Sequence, residues 1–592
     1  MAESIISPGV FTRENDISFV QPAPVVAGAA FIGPTVKGPD NQPTIVTSYN
    51  DYTRRFGETF TSASNNYEFL TSVAVKNYFS QGGQTALVTR VVSGSYTSAT
   101  NTFISASAKA STEPFNIVTL GKGVMYNNAA GQFSATASNA TYTNSDGSLV
   151  SGSADNLRWE ISNINKSLGT FTLSVRQGDD STNNKTVLET FNNVSLDPSS
   201  PNYLESVVGN QYVTVATDSS TGTSYNYLQG TFPNRSNYIR VSAVNLTTPN
   251  YLKNDGISVN TDLTNTSYSA SLPISCSGSF YNATGAVKSG ASYFASISNT
   301  STDIQGLVGA DYATAISLLS NNDDYQFNII STPGLINQNS AAGANTTISS
   351  IISLAETRGD CIAVVDLVRT GSIVSDVTGQ AVAINSSYAA TYWPWVQIQS
   401  ATGRNEYVPA GTIIPGVYAF TDAATAPWFA PAGLVRGGLP GVIQAERKLT
   451  KGDRDTLYAA KVNPIATFPG TGISVFGQKT LQTKASALDR VNVRRLLIEL
   501  KKFIGDQAKN LVFEQNTIAT RNRFLATVNP YLESVVQRQG LYAYRVVMDD
   551  TNNTADVVDR NQLVGQIYIQ PTKTIEFVVL DFVVEPTGAT FA

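Results

Sequence analysis

The sequence predicts a multidomain α+β protein, with discontinuous α/β core domains formed by N- and C-terminal segments, a β-rich insertion and extended terminal arms. Three observations predict it. A strand–helix–strand pattern runs from Val25 to Val92. The same alternation resumes at Ala313 and continues through Val368. Between them lies a long stretch dominated by Ser, Thr, Asn and Gly.

Taken in order, residues 1–22 read as an arm. Ile5-Ile-Ser-Pro8-Gly9-Val10 is a short β/turn segment, and Pro22 and Pro24 break the chain after it. Val25 to Ile32 reads as a buried strand ended by Gly33-Pro34. Tyr67 to Phe79 has helical spacing through Leu70, Val73, Ala74 and Tyr78, and Ala86 to Val92 is a strand. Within residues 96–310, Phe171 to Val175, Val187 to Phe191, Tyr212 to Val215 and Tyr238 to Val241 are short strands separated by turns. Ser349 to Ala355 is helical between the apolar strands Phe327 to Ile330 and Ile362 to Val368. An α/β unit interrupted and then resumed implies a discontinuous core, drawn as residues 23–95 plus 311–450. Residues 96–310 form the insertion and 451–592 a C-terminal domain.

Leu481 to Asp550 organises that last domain. Ser486 with Asp489 three residues on resembles a capping box opening a long helix. Val493, Leu496, Leu497, Leu500, Phe503, Ile504 and Leu511 fall on one stripe. Arg490, Arg494 and Lys501, beside Arg495, Lys502 and Lys509, fall on another face. A second helical run stops at Gly540, and Leu541 to Met548 is an apolar strand. Ile567 to Pro571 and Thr574 to Val584 are further strands, whose edges need partners. With an arm at the other end, donation of a strand to a neighbouring chain is the natural solution.

Composition narrows the chemistry. The 592 residues allow about three or four domains, and 42% are hydrophobic, enough for large cores. Net charge is -5, which argues against a general nucleic-acid binder. Yet Arg436 to Arg538 holds 17 of the 39 Lys and Arg residues, so the basic surface belongs to the C-terminal third. There is no histidine, which removes Ser-His-Asp and Cys-His nucleophiles, HExxH zinc sites and imidazole acid–base work. Cys276 and Cys361 are too far apart for a metal-ligand motif, and Cys361 reads as a buried free thiol in a reducing compartment. The N-terminus lacks the pattern of a signal peptide, and no apolar run reaches the ~18 residues of a membrane span.

The remaining motifs read as structure. Gly121-Lys-Gly123 and Gly470-Thr-Gly472 match no nucleotide loop and read as turns. Asp179-Asp180, Asp323-Asp324 and Asp549-Asp550 read as solvated turn acids rather than acid–base pairs. Tyr392-Trp-Pro-Trp395 and Trp428-Phe-Ala-Pro431 read as rigid packed loops. No catalytic residue, cofactor site or metal site is expected.

Short motifs then accumulate in an order that resembles the contractile tail sheath proteins of myoviruses and related injection machines. They include Ser7-Pro-Gly-Val10 with Glu14, Phe31-Ile-Gly-Pro34, Gly82-Gly83, Pro415-Gly-Val-Tyr-Ala419 with Asp422, and Val462-Asn-Pro464. Val491-Asn-Val-Arg-Arg495, Phe513-Glu514 with Asn516, and Ile575-Glu-Phe577 complete the series. The resemblance implies a non-enzymatic subunit of stacked hexameric rings around a tail tube, with outward-facing insertions and terminal arms that add strands to neighbours. It implies contraction by rigid-body rearrangement that drives the tube through a host envelope for genome ejection. It also implies contacts with tube, baseplate and tail terminator proteins, no direct contact with nucleic acid and no membrane insertion. The place is the virion, after assembly in the host cytoplasm. Ile5, Ile6, Val10, Ile575, Phe577, Val579 and Phe582 are the expected strand-exchange residues. Arg490, Arg494 and Lys501 are expected to face the tube. The rival reading, from the Ser/Thr/Asn-rich middle, is a β-rich surface adhesin or receptor-binding protein.

Overall fold

The computed structural model describes residues 25–62, 65–101, 114–127, 143–249, 251–253, 255, 257–258, 272–286, 305–338 and 346–577. The chain is mixed α/β with many small sheets. The largest among the described residues has six strands in the order Ala389–Ala390, Ile362–Val368, Tyr325–Gln338, Val25–Gly33, Ala86–Arg90 and Thr44–Val46. All neighbours are parallel except the last pair. Ala29 sits opposite Ile329 on one side and Ala86 on the other, so segments on both sides of the Ser/Thr-rich stretch share one sheet.

A parallel sheet is covered on both faces, and its strands are therefore apolar at successive positions rather than alternate ones. Ala29 and Phe31 point into a core with Val73, Tyr418, Ile465, Val491 and Ile498. Ala30 and Ile32 point into the opposite core, with Ile351, Cys361, Leu457 and Leu481. Cys361 is fully buried and unpaired, and burial pushes its thiol up. Trp393 and Trp395 are packed, the latter donating from Nε1 to the Val368 carbonyl at 2.9 Å. Gly470 and Gly472, both at positive φ, turn the hairpin between Asn463–Phe468 and Gly472–Val475.

The middle of the chain builds its own core. Val187–Ser195, Thr170–Gln177, Leu157–Asn165 and Cys276–Ser279 form one antiparallel sheet; Ile239–Val244, Phe115–Lys122 and Ser98–Thr100 form another. Phe115, Ile117, Trp159, Leu173, Val175 and Val241 meet between them. Asp180 corrects the sequence reading. It is buried, gripped by Nε and one terminal nitrogen of Arg176 (2.7 and 2.8 Å) and by Arg158 at 3.1 Å. The turn does place it beside a strand end, but the two arginines come from within the strands, a pairing no local pattern announces. Polar contacts join this region to the large sheet: Lys37 to Asp155 at 2.8 Å, and Arg90 to the carbonyls of Gly38 and Lys122.

Candidate functional site

The C-terminal region is built around helices Val491–Lys509 and Ile518–Gln537. They pack as a hairpin through Leu496, Leu500, Phe524, Val528 and Leu532, with Trp428 against them. Each fully buried Leu or Phe there contributes about 1.5–3 kcal/mol. The rings of Phe503 and Tyr531 stack at 3.7 Å. Ser486 caps only a short 3₁₀ turn, Ala487–Asp489, accepting from Leu488 N–H; the α-helix begins at Val491 without a side-chain cap. That start is fixed instead by the backbone: Thr480 N–H donates to Asp489 and Val491 N–H to Gln478.

The apolar stripe is only half of what this helix buries. Val491 and Ile498 enter the core of the large sheet, while Leu496 and Leu500 enter the hairpin core. With core on two sides, the helix is enclosed from Val491 to Leu496. Its cations there are interior groups. Arg495 is 4% exposed and bonds both oxygens of Asp422, at 2.7 and 2.5 Å. Arg494, also 4% exposed, stacks on Tyr388 with its guanidinium carbon 4.0 Å from the ring centre and donates to Ser387 Oγ at 2.5 Å. Lys501 is exposed and donates to Tyr388 Oη at 3.1 Å.

Beyond the hairpin, Leu541–Val547 pairs antiparallel with Gln566–Pro571. Among the described residues this sheet has two strands and no more. Ile567 and Ile569 turn toward the helices, whereas Tyr568 on the same strand and Tyr542 on its partner stand out in solvent. A two-stranded ribbon is marginal by itself and offers unpaired backbone at its edges. A groove of about 540 Å³ runs beside it, lined by Trp428, Phe429, Leu541, Tyr542 and Thr574 among others.

From the ribbon the chain returns to the start of the first helix. Thr572 N–H donates to the Gly540 carbonyl. Asn492 Nδ2 reaches Thr574 Oγ1 at 3.2 Å. Arg490 then grips Glu576 with Nε to one oxygen at 2.6 Å and a terminal nitrogen to the other at 2.9 Å. Gln478 Nε2 adds a third bond, at 3.2 Å. Burial pushes the Glu576 carboxyl up, but the bonds from Arg490, Tyr458 and Gln478 outweigh it and hold the group below its ordinary value.

The predicted residues are thus dispersed. Ile5, Ile6, Val10, Val579 and Phe582 lie outside the described residues. Ile575 and Phe577 are 80% and 77% exposed and join no ladder. Of the three cations expected on one face, Arg490 holds the returning chain, Arg494 is interior and Lys501 is exposed. Glu576, Asn492 and Gln478 were missed. Their signal was faint: one acid alternating with two large apolar residues in Ile575-Glu-Phe577. Among the described residues no group of three or more Cys, Asp or Glu side chains is placed to hold a metal ion, and no helix is long and apolar enough to cross a membrane.

A family model described as the phage tail sheath protein central domain matches residues 305–481, and one described as the phage tail sheath C-terminal domain matches 483–585. The tail sheath protein of Vibrio phage KVP40 is 36% identical over 291 residues, 48% of this chain and 42% of that protein. The tail sheath protein of Enterobacteria phage T4 is 35% identical over 266 residues, 42% of this chain and 40% of that protein. The matched stretch therefore spans less than half the length of either relative. A crystal structure of a sheath tail protein from Listeria innocua matches with a TM-score of 0.51 and 11% identity, over 92% of this chain and 95% of that one, a likeness of fold alone.

Proposed function

The chain belongs to the contractile phage tail sheath family, and from that premise we propose that it is a structural subunit whose function lies in contacts between copies. The observation that carries this is the C-terminal ribbon. Among the described residues, two strands pair with each other and with no third strand, and they stand on a helical hairpin beside residues 572–574. Added strands would satisfy the edge N–H and C=O groups, each ladder bond contributing about 0.5–1.5 kcal/mol. Their apolar side chains would bury surface at about 25 cal/mol per Å².

In this reading, residues 1–22 supply strands to other copies through Ile5, Ile6 and Val10, and the chain beyond Phe577 does so through Val579 and Phe582, with Ile575 and Phe577 presenting apolar side chains at its root. The subunits form hexameric rings stacked around a tail tube in the virion. Contraction repacks rigid subunits and drives the tube through the host envelope, with no catalysed step. The core, residues 23–95 with 311–450, and the insertion, 96–310, move as parts of one subunit. Lys501 is the residue of the basic set that keeps a free surface for an acidic tube; Arg490 and Arg494 serve inside the subunit.

The test is polymerisation of the purified chain, seen by negative-stain microscopy. Hollow striated tubes are expected. A chain lacking residues 1–20 is expected to fold and remain monomeric; normal tubes from that deletion would refute strand supply by the N-terminal arm.

A further inference from the structure

We propose that Glu576 is a positioning residue. Held by Arg490, it fixes the point at which the C-terminal end departs from its own subunit, so that only residues beyond 577 are lent to a second copy. The inference rests on the sheath reading above and adds to it a site of control.

The geometry is that of a strand fastened along one side. Thr574 and Glu576, two residues apart, share one face of an extended segment, and both are taken by side chains from the start of the long helix, Asn492 and Arg490. Ile575 and Phe577 alternate with them and stand in solvent. Thr574 is itself exposed and Glu576 half-buried, and among the described residues 572–577 belong to no sheet. The fastening is strong for its size. Two parallel charge-assisted bonds fix direction as well as distance. Their side chains are 25% and 16% exposed, so solvent screens them only partly. The receptor is tied by backbone: Val491 N–H donates to Gln478, Thr480 N–H to Asp489, and Lys479 and Arg490 form a β-bridge. Asp489 braces Arg490 from the other side at 2.9 Å.

Pairing a segment with another copy costs conformational entropy for every residue that the pairing orders. A fixed point at Glu576 lowers that cost for the residues next to it and sets their direction. Ile575 and Phe577, turned outward, are the first apolar side chains that a second copy meets.

The test uses the full chain with Glu576→Gln, Arg490→Glu, Glu576→Arg and the double swap R490E/E576R. Three quantities are read: the threshold concentration for polymerisation by light scattering, hydrogen exchange over residues 572–577, and the monomer's unfolding midpoint. Each single variant is expected to raise the threshold about tenfold or more, the scale of a lost charge-assisted hydrogen bond, and to speed exchange in 572–577 with the unfolding midpoint held. The swap should bring both toward the parent. Polymerisation of Glu576→Gln at the parent's threshold would overturn the proposal. So would single variants that lose threshold and unfolding midpoint together with no recovery in the swap, which would make the pair merely structural. If the parent chain formed no polymer, the sheath reading would fail by itself. Exchange in 572–577 would then still show whether Glu576 holds the segment.

Discussion

The two halves of helix Val491–Lys509 carry similar residues and meet opposite fates. In the first half Arg494 and Arg495 are interior, one laid on Tyr388 and one paired with Asp422. In the second half Lys501 is exposed, and Lys509 pairs with Asp506 only at 3.4 Å, on the surface. The difference teaches that a cationic stripe is not by itself a surface. An amphipathic pattern counts apolar residues on one face; it does not reveal that a second core, reached by Val491 and Ile498, closes over the charges.

The comparison can be broken at its buried end. Arg495→Ala leaves Asp422 without its partner, and the loss should be about 3–5 kcal/mol in chemical denaturation. A loss below 1 kcal/mol would mean that the first half is as open as the second. The insertion offers an independent case of the same physics. Asp180→Asn keeps the shape but removes the charge facing Arg158 and Arg176, and should cost about 3 kcal/mol. Tyr388→Ala removes the stacking surface for Arg494, at about 1–2 kcal/mol for the cation–π contact and more for the lost ring area.

At the helix start the expected effect is a pH dependence. The Glu576 carboxyl is depressed in the folded chain, so its contribution is fully present above its ordinary value of 4.5 and is lost as pH falls through the lowered value. Protection from hydrogen exchange over 572–577, taken relative to the intrinsic rate at each pH, should therefore fall on acidification below that range, and Glu576→Gln should show the low protection at every pH. The smallest effect belongs to the exposed half. Lys501→Glu should change stability by less than about 0.5 kcal/mol, while weakening any attraction to an acidic tube most at low salt.

Much of the architecture was legible because burial wrote it into local pattern. Ile362–Val368 is apolar at every position but Asp366, and the structure buries every residue of it within a parallel sheet. Gly540 marks the end of the second helix by bonding back to Val535, after Gln539 at positive φ. What was not legible depends on partners far away in sequence. Asp180 reads as a solvated turn acid because its turn is local and its arginines are not. Ser486 reads as the cap of the long helix, but the backbone of Gln478 and Thr480 claims that start. The cations of the long helix read as one face because their partners, Asp422, Tyr388 and Glu576, lie 73, 106 and 86 residues away along the chain.

The claim on which the account turns is that this subunit holds its neighbours with borrowed backbone. A helical reconstruction of the polymer formed by the full chain tests it most directly. The account predicts that residues following Phe577 pair by main-chain hydrogen bonds with a sheet of an adjacent copy, while Glu576 stays on Arg490 of its own. A map in which both chain ends close onto their own ribbon, with no main-chain bonds crossing between copies, would contradict it.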